Sequence, residues 1–284
     1  MIGIVTDSTA DIPKELARQH EITVVPLQVI FGKEKFLDGI DLTPGEFYQK
    51  LRQVDKLPTT AQPSPGAFEV VYKKVAETCQ SIISIHISEK MSGTIRSAQI
   101  AKDSLPDLDI TIVDSGYVHS PLGLMAIEAS RLARKGATKE GILQLVEKFK
   151  RSLGILFLVE TLQYLKMGGR IGGAKGLLAS MLKIQPILTI KEGQVDAFKN
   201  VRGWNKARQV MLDTMGETLK ADGQAVIFVG HSDSPQEAEE LAERCREKFA
   251  PRELNIWEIG SVVGTHAGPG TLAAVYFNEF RQDG

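Results

Sequence analysis

Two short stretches carry residue types suited to holding an anion: Gly264-Thr265-His266-Ala267-Gly268-Pro269-Gly270 and Ser92-Gly93-Thr94. In the first, His266 stands among glycines with few large neighbours in sequence, and Pro269 stiffens the exit. A neutral imidazole donates a hydrogen bond to a carboxylate at pH 7, and carries charge if its pKa rises. The second stretch follows a β-branched run and opens a helical pattern with Ile95, Ala98, Ala101 and Leu105 on roughly one face. Hydroxyls and free amides at a helix N-terminus favour an anion, and Gly93 lets a ligand approach the backbone. Ser92 as a plain helix cap accounts for the same residues, so both readings stay open.

Other polar segments are less specific. Gly168-Gly169-Arg170-Ile171-Gly172-Gly173 fits neither standard glycine-rich nucleotide motif. Its single guanidinium suits a phosphate or a partner's acidic groups, and its glycines equally suit a tight connection at positive φ. Thr59 and Thr60, on a proline-stiffened loop from Pro58 to Pro65, offer neutral hydroxyl donors. The tract Thr6 to Asp11 lies just past a strand, where α/β folds bind ligands, while Asp11 ahead of Pro13 reads as a helix start. Gly230-His231-Ser232-Asp233-Ser234 is a near miss for a nucleophile turn and reads instead as a capping box, with Ser234, Pro235 and Glu237 starting a helix. Neither His20, His86, His119 nor His231 gains support from its neighbours, and no metal-ligand spacing exists. Cys79 and Cys245 lack C-x-x-C spacing, so neither a disulfide framework nor a zinc site is expected.

The elements that must position these residues follow from periodicity. Short β-branched runs at Ile2 to Thr6, Ile22 to Phe31, Ser81 to Ile87 and Ile110 to Val113 alternate with helical patterns and predict a largely parallel α/β sheet. A second α/β unit begins near Leu153, with a strand Gly154 to Val159, a helix from Ala174 to Lys183 and a run Pro186 to Ile190. A hairpin turn at Lys191 to Gln194 leads into Val195 to Phe198. Helices over Lys206–Leu219 and Pro235–Phe249 are interleaved with apolar runs at Ala225–Val229, Leu254–Val263 and Leu272–Phe277. We therefore expect two α/β domains, 1–152 and 153–284. With 284 residues, 43% apolar, the chain has enough material for two cores. A net charge of −1 from 34 basic and 35 acidic residues gives no reason to expect nucleic acid or an anionic membrane surface as partner. Met1 to Asp7 lacks a basic leader, and the longest apolar run, Leu153 to Val159, is too short to span a bilayer, so a cytoplasmic protein without an integral membrane segment is expected.

Five segments in the same order resemble the DegV family: Thr6-Asp7-Ser8-Thr9-Ala10-Asp11, Thr59-Thr60-Ala61-Gln62-Pro63-Ser64, Lys90-Met91-Ser92-Gly93-Thr94, Tyr164 to Gly172 and Gly264 to Gly270. The resemblance covers nearly the whole chain. It implies two α/β domains with a fatty acid bound at the domain interface and within the C-terminal domain, as in the FakB subunits of bacterial fatty acid kinase. Carried over by motif, the carboxylate donors are Thr60, Ser92 and His266, with Gly93 and Thr94 beside them. Arg170 and Arg202 match basic positions near the head group and the partner surface. Ala61 stands where many relatives have serine, so one hydroxyl contact is missing.

The implied function is to bind a long-chain fatty acid and present its carboxylate to a separate ATP-dependent kinase, whose acyl phosphate product feeds phospholipid synthesis. No catalytic residue, metal or cofactor is then expected in this chain. Two alternatives stay open: a stand-alone phosphotransferase or hydrolase using His266, and a lipid sensor or store without a kinase partner. Leu177, Leu178, Met181 and Leu182 are candidates for lining an acyl tunnel, and equally for an ordinary core.

Overall fold

The β-branched runs at the start of the chain pair side by side: β1 (Ile2–Asp7) lies parallel to β2 (Ile22–Val25). A computed structural model describes residues 1–178 and 184–278. Next come β3 (Gln28–Phe31), β4 (Glu34–Leu37) and β5 (Thr59–Ala61), an antiparallel sheet in the order β4-β3-β5. Then β6 (Ser81–His86) and β7 (Asp109–Asp114) complete the parallel sheet, ordered β2-β1-β6-β7. Residues 3–7 of β1 are all buried, as expected for a parallel strand covered on both faces. Helices α1 (Lys14–Gln19), α2 (Pro44–Leu51), α3 (Pro65–Ala76), α4 (Thr94–Asp103), α5 (Ser120–Arg134) and α6 (Lys139–Ser152) fill the connections. Phe68, Tyr72 and Ala98 from α3 and α4 close over Val5, Ile82 and Ile110 of the sheet.

Three expectations for this region need correction. The run Ile22 to Phe31 is two strands in two sheets, because Pro26 has no N–H to continue a ladder. Thr59 to Ala61 is a strand, not a loop: its β-branched threonines extend along β3, with Thr60 opposite Val29. Asp11 does not start α1. It sits in the left-handed region at φ 49, and Pro13 occupies the cap position without a side-chain bond.

The second half builds a mixed sheet. It comprises β8 (Gly154–Leu158), β9 (Gln185–Lys191), β10 (Gln194–Val201), β11 (Ala225–His231), β12 (Glu253–Glu258) and β13 (Leu272–Asn278), ordered β10-β9-β8-β13-β11-β12. The last strand, β13, is inserted antiparallel between β8 and β11, whereas β11 and β12 are parallel. Between them run α7 (Gln163–Met167), α8 (Trp204–Thr218), α9 (Pro235–Phe249) and α10 (Ser261–Ala267). Met211, Met215, Leu241 and Cys245 from α8 and α9 pack against Leu156, Ile227 and Ala274. Glu192 (φ 49) and Gly193 (φ 79) make the two-residue turn between β9 and β10, both in the left-handed conformation that such hairpins require.

Here too the local signals are only partly followed. Of the expected helix from Ala174 to Lys183, the described part is a 3-10 segment, Gly172–Leu177; residues 179–183, with Met181 and Leu182, lie outside the described residues. The run Leu254 to Val263 divides into β12 and the start of α10. Ser234 precedes α9 with Pro235 at its first position, but its hydroxyl turns back to donate to the Ser232 carbonyl at 3.0 Å, so no capping box forms.

The chain divides into two compact units. The first comprises Met1–Arg151, Glu192–Gln194 and Gly260–Thr265; the second takes up at Ser152 and includes His266. Among the described residues no helix is long and apolar enough to cross a membrane.

Candidate functional site

In the first unit, strand β5 carries Thr60, and side chains two apart on a strand share a face. Gln62, just past the strand, therefore projects alongside Thr60 and reaches α4, where its Nε2 donates to Ser97 Oγ at 3.0 Å. The Gln62 amide lies directly over Gly93, where any Cβ would collide with it. Gly93 is the cap residue of α4, with no side-chain cap bond. Ser92 is thus one position too early to be the cap. Its Oγ accepts the Thr94 N–H at 3.3 Å and sits 2.8 Å from Thr94 Oγ1. The fold so places Ser92, Gly93 and Thr94 at the start of one helix, where the dipole favours an anion, with Gln62, two residues past Thr60, lying over Gly93.

In the second unit, His266 is not a loop residue among small neighbours, as its flanking glycines imply. It occupies the last turn of α10, half-buried, and its ring lies against the bare backbone of Gly168. Arg170 donates to the Gly168 carbonyl at 2.6 Å. Burial first, and the Arg170 guanidinium second, push the His266 pKa down to about 4. At neutral pH the ring is therefore uncharged, with one N–H to donate. Tyr164 packs against Gly268, and Glu160 against Gly270. Burial and then the nearby Glu160 raise the Tyr164 hydroxyl pKa, which keeps it protonated. Arg202 is exposed just beyond β10. Leu177 and Leu178 are half-buried at the end of the 3-10 segment.

Two histidines without any sequence support prove to be paired with buried aspartates. His86 has Nδ1 3.0 Å from Asp7 Oδ2 and Nε2 2.6 Å from Ser84 Oγ. This resembles a serine-hydrolase triad, yet all three residues are fully buried, and Ser84 Oγ is further occupied by the Tyr72 hydroxyl at 2.9 Å. No substrate reaches that serine, so the cluster is structural. His119 pairs with Asp11, Nδ1 to Oδ2 2.8 Å. Neither pairing has a signal in local spacing, since the partners are 79 and 108 residues apart. Gln62 is likewise unmarked: its role depends on α4 lying beside β5. Among the described residues no group of acidic, histidine or cysteine side chains is arranged to hold a metal ion.

The chain is similar to known proteins over nearly its whole length. The family model described as "Uncharacterised protein, DegV family" matches residues 1–279. A DegV domain-containing protein of Halalkalibacterium halodurans is 34% identical over 279 residues, 98% of this chain and 99% of its own. A solved DegV family protein from Thermus thermophilus, described for its fatty acid binding, superposes with a TM-score of 0.91 at 35% identity, covering 98% of this chain and 99% of its own. DegV of Bacillus subtilis, described as a fatty acid binding protein, gives 0.88 at 31% identity with the same coverage.

Proposed function

Because the chain belongs to the DegV family, we propose that it binds a long-chain fatty acid, with Thr60, Ser92, Gly93, Thr94 and His266 donating to the carboxylate. The observation that carries this reading is the neutral His266 ring, seated on Gly168 and kept uncharged by burial and Arg170. A carboxylate leaving water needs donors to offset its desolvation. Hydroxyls, an amide and a neutral imidazole supply them without a fixed counter-charge, so the carboxylate stays nucleophilic. The acyl chain supplies most of the affinity: about sixteen methylenes at ~0.8 kcal/mol each give roughly 13 kcal/mol before association and ordering costs. The head-group donors then set orientation.

The finer part of the proposal assigns the chemistry to a separate ATP-dependent kinase. A carboxylate oxygen attacks the γ-phosphorus of ATP held by that partner; an acyl phosphate forms and ADP leaves. Arg170 and Arg202, both exposed, serve the head group and the partner surface. The acyl phosphate is then consumed in phospholipid synthesis. The free thiols Cys79 and Cys245 fit a reducing, cytoplasmic setting.

Extraction of the purified, denatured protein with organic solvent, followed by mass spectrometry, tests the binding: near-stoichiometric fatty acid is expected. A protein that is empty, and stays empty after incubation with a panel of fatty acids, refutes the carrier reading. Adding a bacterial fatty acid kinase and ATP to the loaded protein tests the second part, and bound lipid that yields no acyl phosphate points to a sensor or store.

A further inference from the structure

Asp11, Asp38 and His119 form a buried cluster that fatty acid binding leaves unused, and all three belong to the first unit. Asp38 Oδ1 accepts the Ser261 hydroxyl at 2.7 Å, and the same carboxylate accepts the Ser261 N–H and the Ser8 hydroxyl. Asp11 accepts the Gly260 N–H and faces His119 Nδ1 at 2.8 Å. Gly260 is pinched between the two acids: a Cβ there would collide with Asp11 Oδ1 and lie 3.7 Å from Asp38 Oδ1. Both carboxylates thus grip the entry into α10, the helix that ends in His266 and Ala267.

Such a grip is a costly way to satisfy amides at the start of a helix. One serine or asparagine cap does so without burying charge. Here Asp11 and Asp38 repel each other, and Asp7 adds to the repulsion at Asp11. Burial raises both carboxyl pKa values, that of Asp38 to about 6. His119, which faces Asp11, holds φ 61 and ψ −144, a conformation rarely adopted by a residue with a side chain, and its N–H donates to the Thr9 carbonyl at 2.7 Å. Its Nε2 is buried with no partner among the described residues. Strain, repulsion and an unsatisfied nitrogen at one spot mark a function beyond packing.

We infer that Asp11 and Asp38 are positioning residues, clamping the entry of α10 so that the helix presents His266 in a fixed orientation. The positioning role rests on His266 being a head-group donor; the clamp itself does not.

Hydrogen exchange of the amides of residues 262–267, measured by mass spectrometry on the ligand-free full chain, tests the clamp. Ser261→Ala removes one hydrogen bond to a buried carboxylate, and protection of this segment should fall about tenfold at pH 7.5 while that of β6 is unchanged. In His266→Gln, which removes the opposing slope of the buried imidazole, protection corrected for intrinsic rates should rise between pH 7.5 and 5, because the closed clamp binds a proton on Asp38 more tightly than the opened one. Adding Asp38→Asn should reduce that slope, leaving the part due to the raised Asp11 carboxyl. Unchanged protection in Ser261→Ala, or the same slope once Asp38→Asn is added, overturns the clamp.

Palmitate affinity then tests positioning. Ser261→Ala should bind about three- to tenfold more weakly, and Ser261→Ala/His266→Ala no more weakly than His266→Ala alone, since Ser261 acts through the histidine. Additive losses overturn the positioning role. Wild-type affinity in His266→Ala removes the head-group reading and positioning together, while the exchange data still decide whether the clamp exists.

Discussion

Replacing Gly168 by alanine disturbs the seat of His266 while leaving the imidazole in the chain. A Cβ at position 168 would stand 3.0 Å from His266 Cε1, nearer still to Nδ1, and 3.1 Å from the Tyr164 carbonyl oxygen. Gly168 has φ −73, so alanine fits the backbone and the penalty is steric alone. The Tyr164 carbonyl belongs to α7 and yields little, so the ring must move by about 1 Å to regain van der Waals distance. With His266 as the proposed head-group donor, a ring so displaced loses its bond to the carboxylate. Losing a hydrogen bond to a charged group costs about 1.5–3 kcal/mol, or tenfold to more than a hundredfold in Kd. Overpacking should lower stability by about 1–3 kcal/mol.

Titration calorimetry with palmitate and a thermal melt separate these two effects. Gly168→Ala should match His266→Ala in affinity, and the double variant should bind no more weakly than His266→Ala while melting higher than Gly168→Ala, because the collision is gone. Gly176, in the neighbouring 3-10 segment, has open space where its Cβ would be, so Gly176→Ala is the control and should bind as wild type. A Gly168→Ala protein with a lowered Tm and wild-type affinity would refute the argument, since the clash would then be real and the position of the imidazole irrelevant.

Three further outcomes are expected. The His266 Cε1–H resonance should stay flat from pH 8 to 5.5, given a pKa near 4, and a midpoint near 6.5 would show the ring to be solvated. Acid should act oppositely on the two units. His266, with its pKa lowered from 6.5 to about 4, contributes stability above 6.5 that is lost as pH falls towards 4, whereas Asp38, raised from 3.8 to about 6, contributes stability below 3.8 that is lost as pH rises through 6. Each swing is about 3 kcal/mol at most. Both tryptophans, Trp204 and Trp257, lie in the second unit, so their fluorescence in urea should show a falling midpoint between pH 7 and 5, reduced in His266→Gln; a rising midpoint contradicts the assignment. Gln62→Ala should weaken palmitate binding by about two- to tenfold with little change in Tm, because Gln62 is exposed and loses only its bond to Ser97; wild-type affinity would make it a bystander.

How much of this was legible in the sequence depends on the range of the interaction concerned. The parallel strands β1 and β6 are readable because burial on both faces demands near-continuous apolar runs, and the β9–β10 turn because glutamate–glycine between such runs supplies a hairpin. The hydroxyls of Ser92 and Thr94 are readable as residues at a helix start. Illegible were features decided by a distant partner. Thr59 to Ala61 became a strand because β3 offers an edge, and Asp11 left its expected capping role for His119, 108 residues away. Ser234 shows the same limit on a smaller scale: a complete capping-box signature lost to one bond from its hydroxyl to the Ser232 carbonyl.

The two glycine-rich motifs illustrate why local pattern misdirects. Each by itself suggests a flexible loop whose backbone cradles a ligand. In the fold they are two sides of one seam: Gly168 makes room for His266, Gly268 for Tyr164, and Gly270 for Glu160. Gly168 on one side and Gly268 and Gly270 on the other therefore admit large side chains of the opposite segment to close backbone approach, so the seam is densely packed at these three positions. That packing buries the imidazole, and burial is the first cause of its low pKa. Replacing charged residues nearby should consequently change the protonation of His266 less than adding a single methyl group at Gly168, which opens the seam. Arg170→Ala, removing the lesser cause, should leave the ring neutral at pH 7; if instead its titration midpoint returns to 6.5, charge and not packing holds it uncharged.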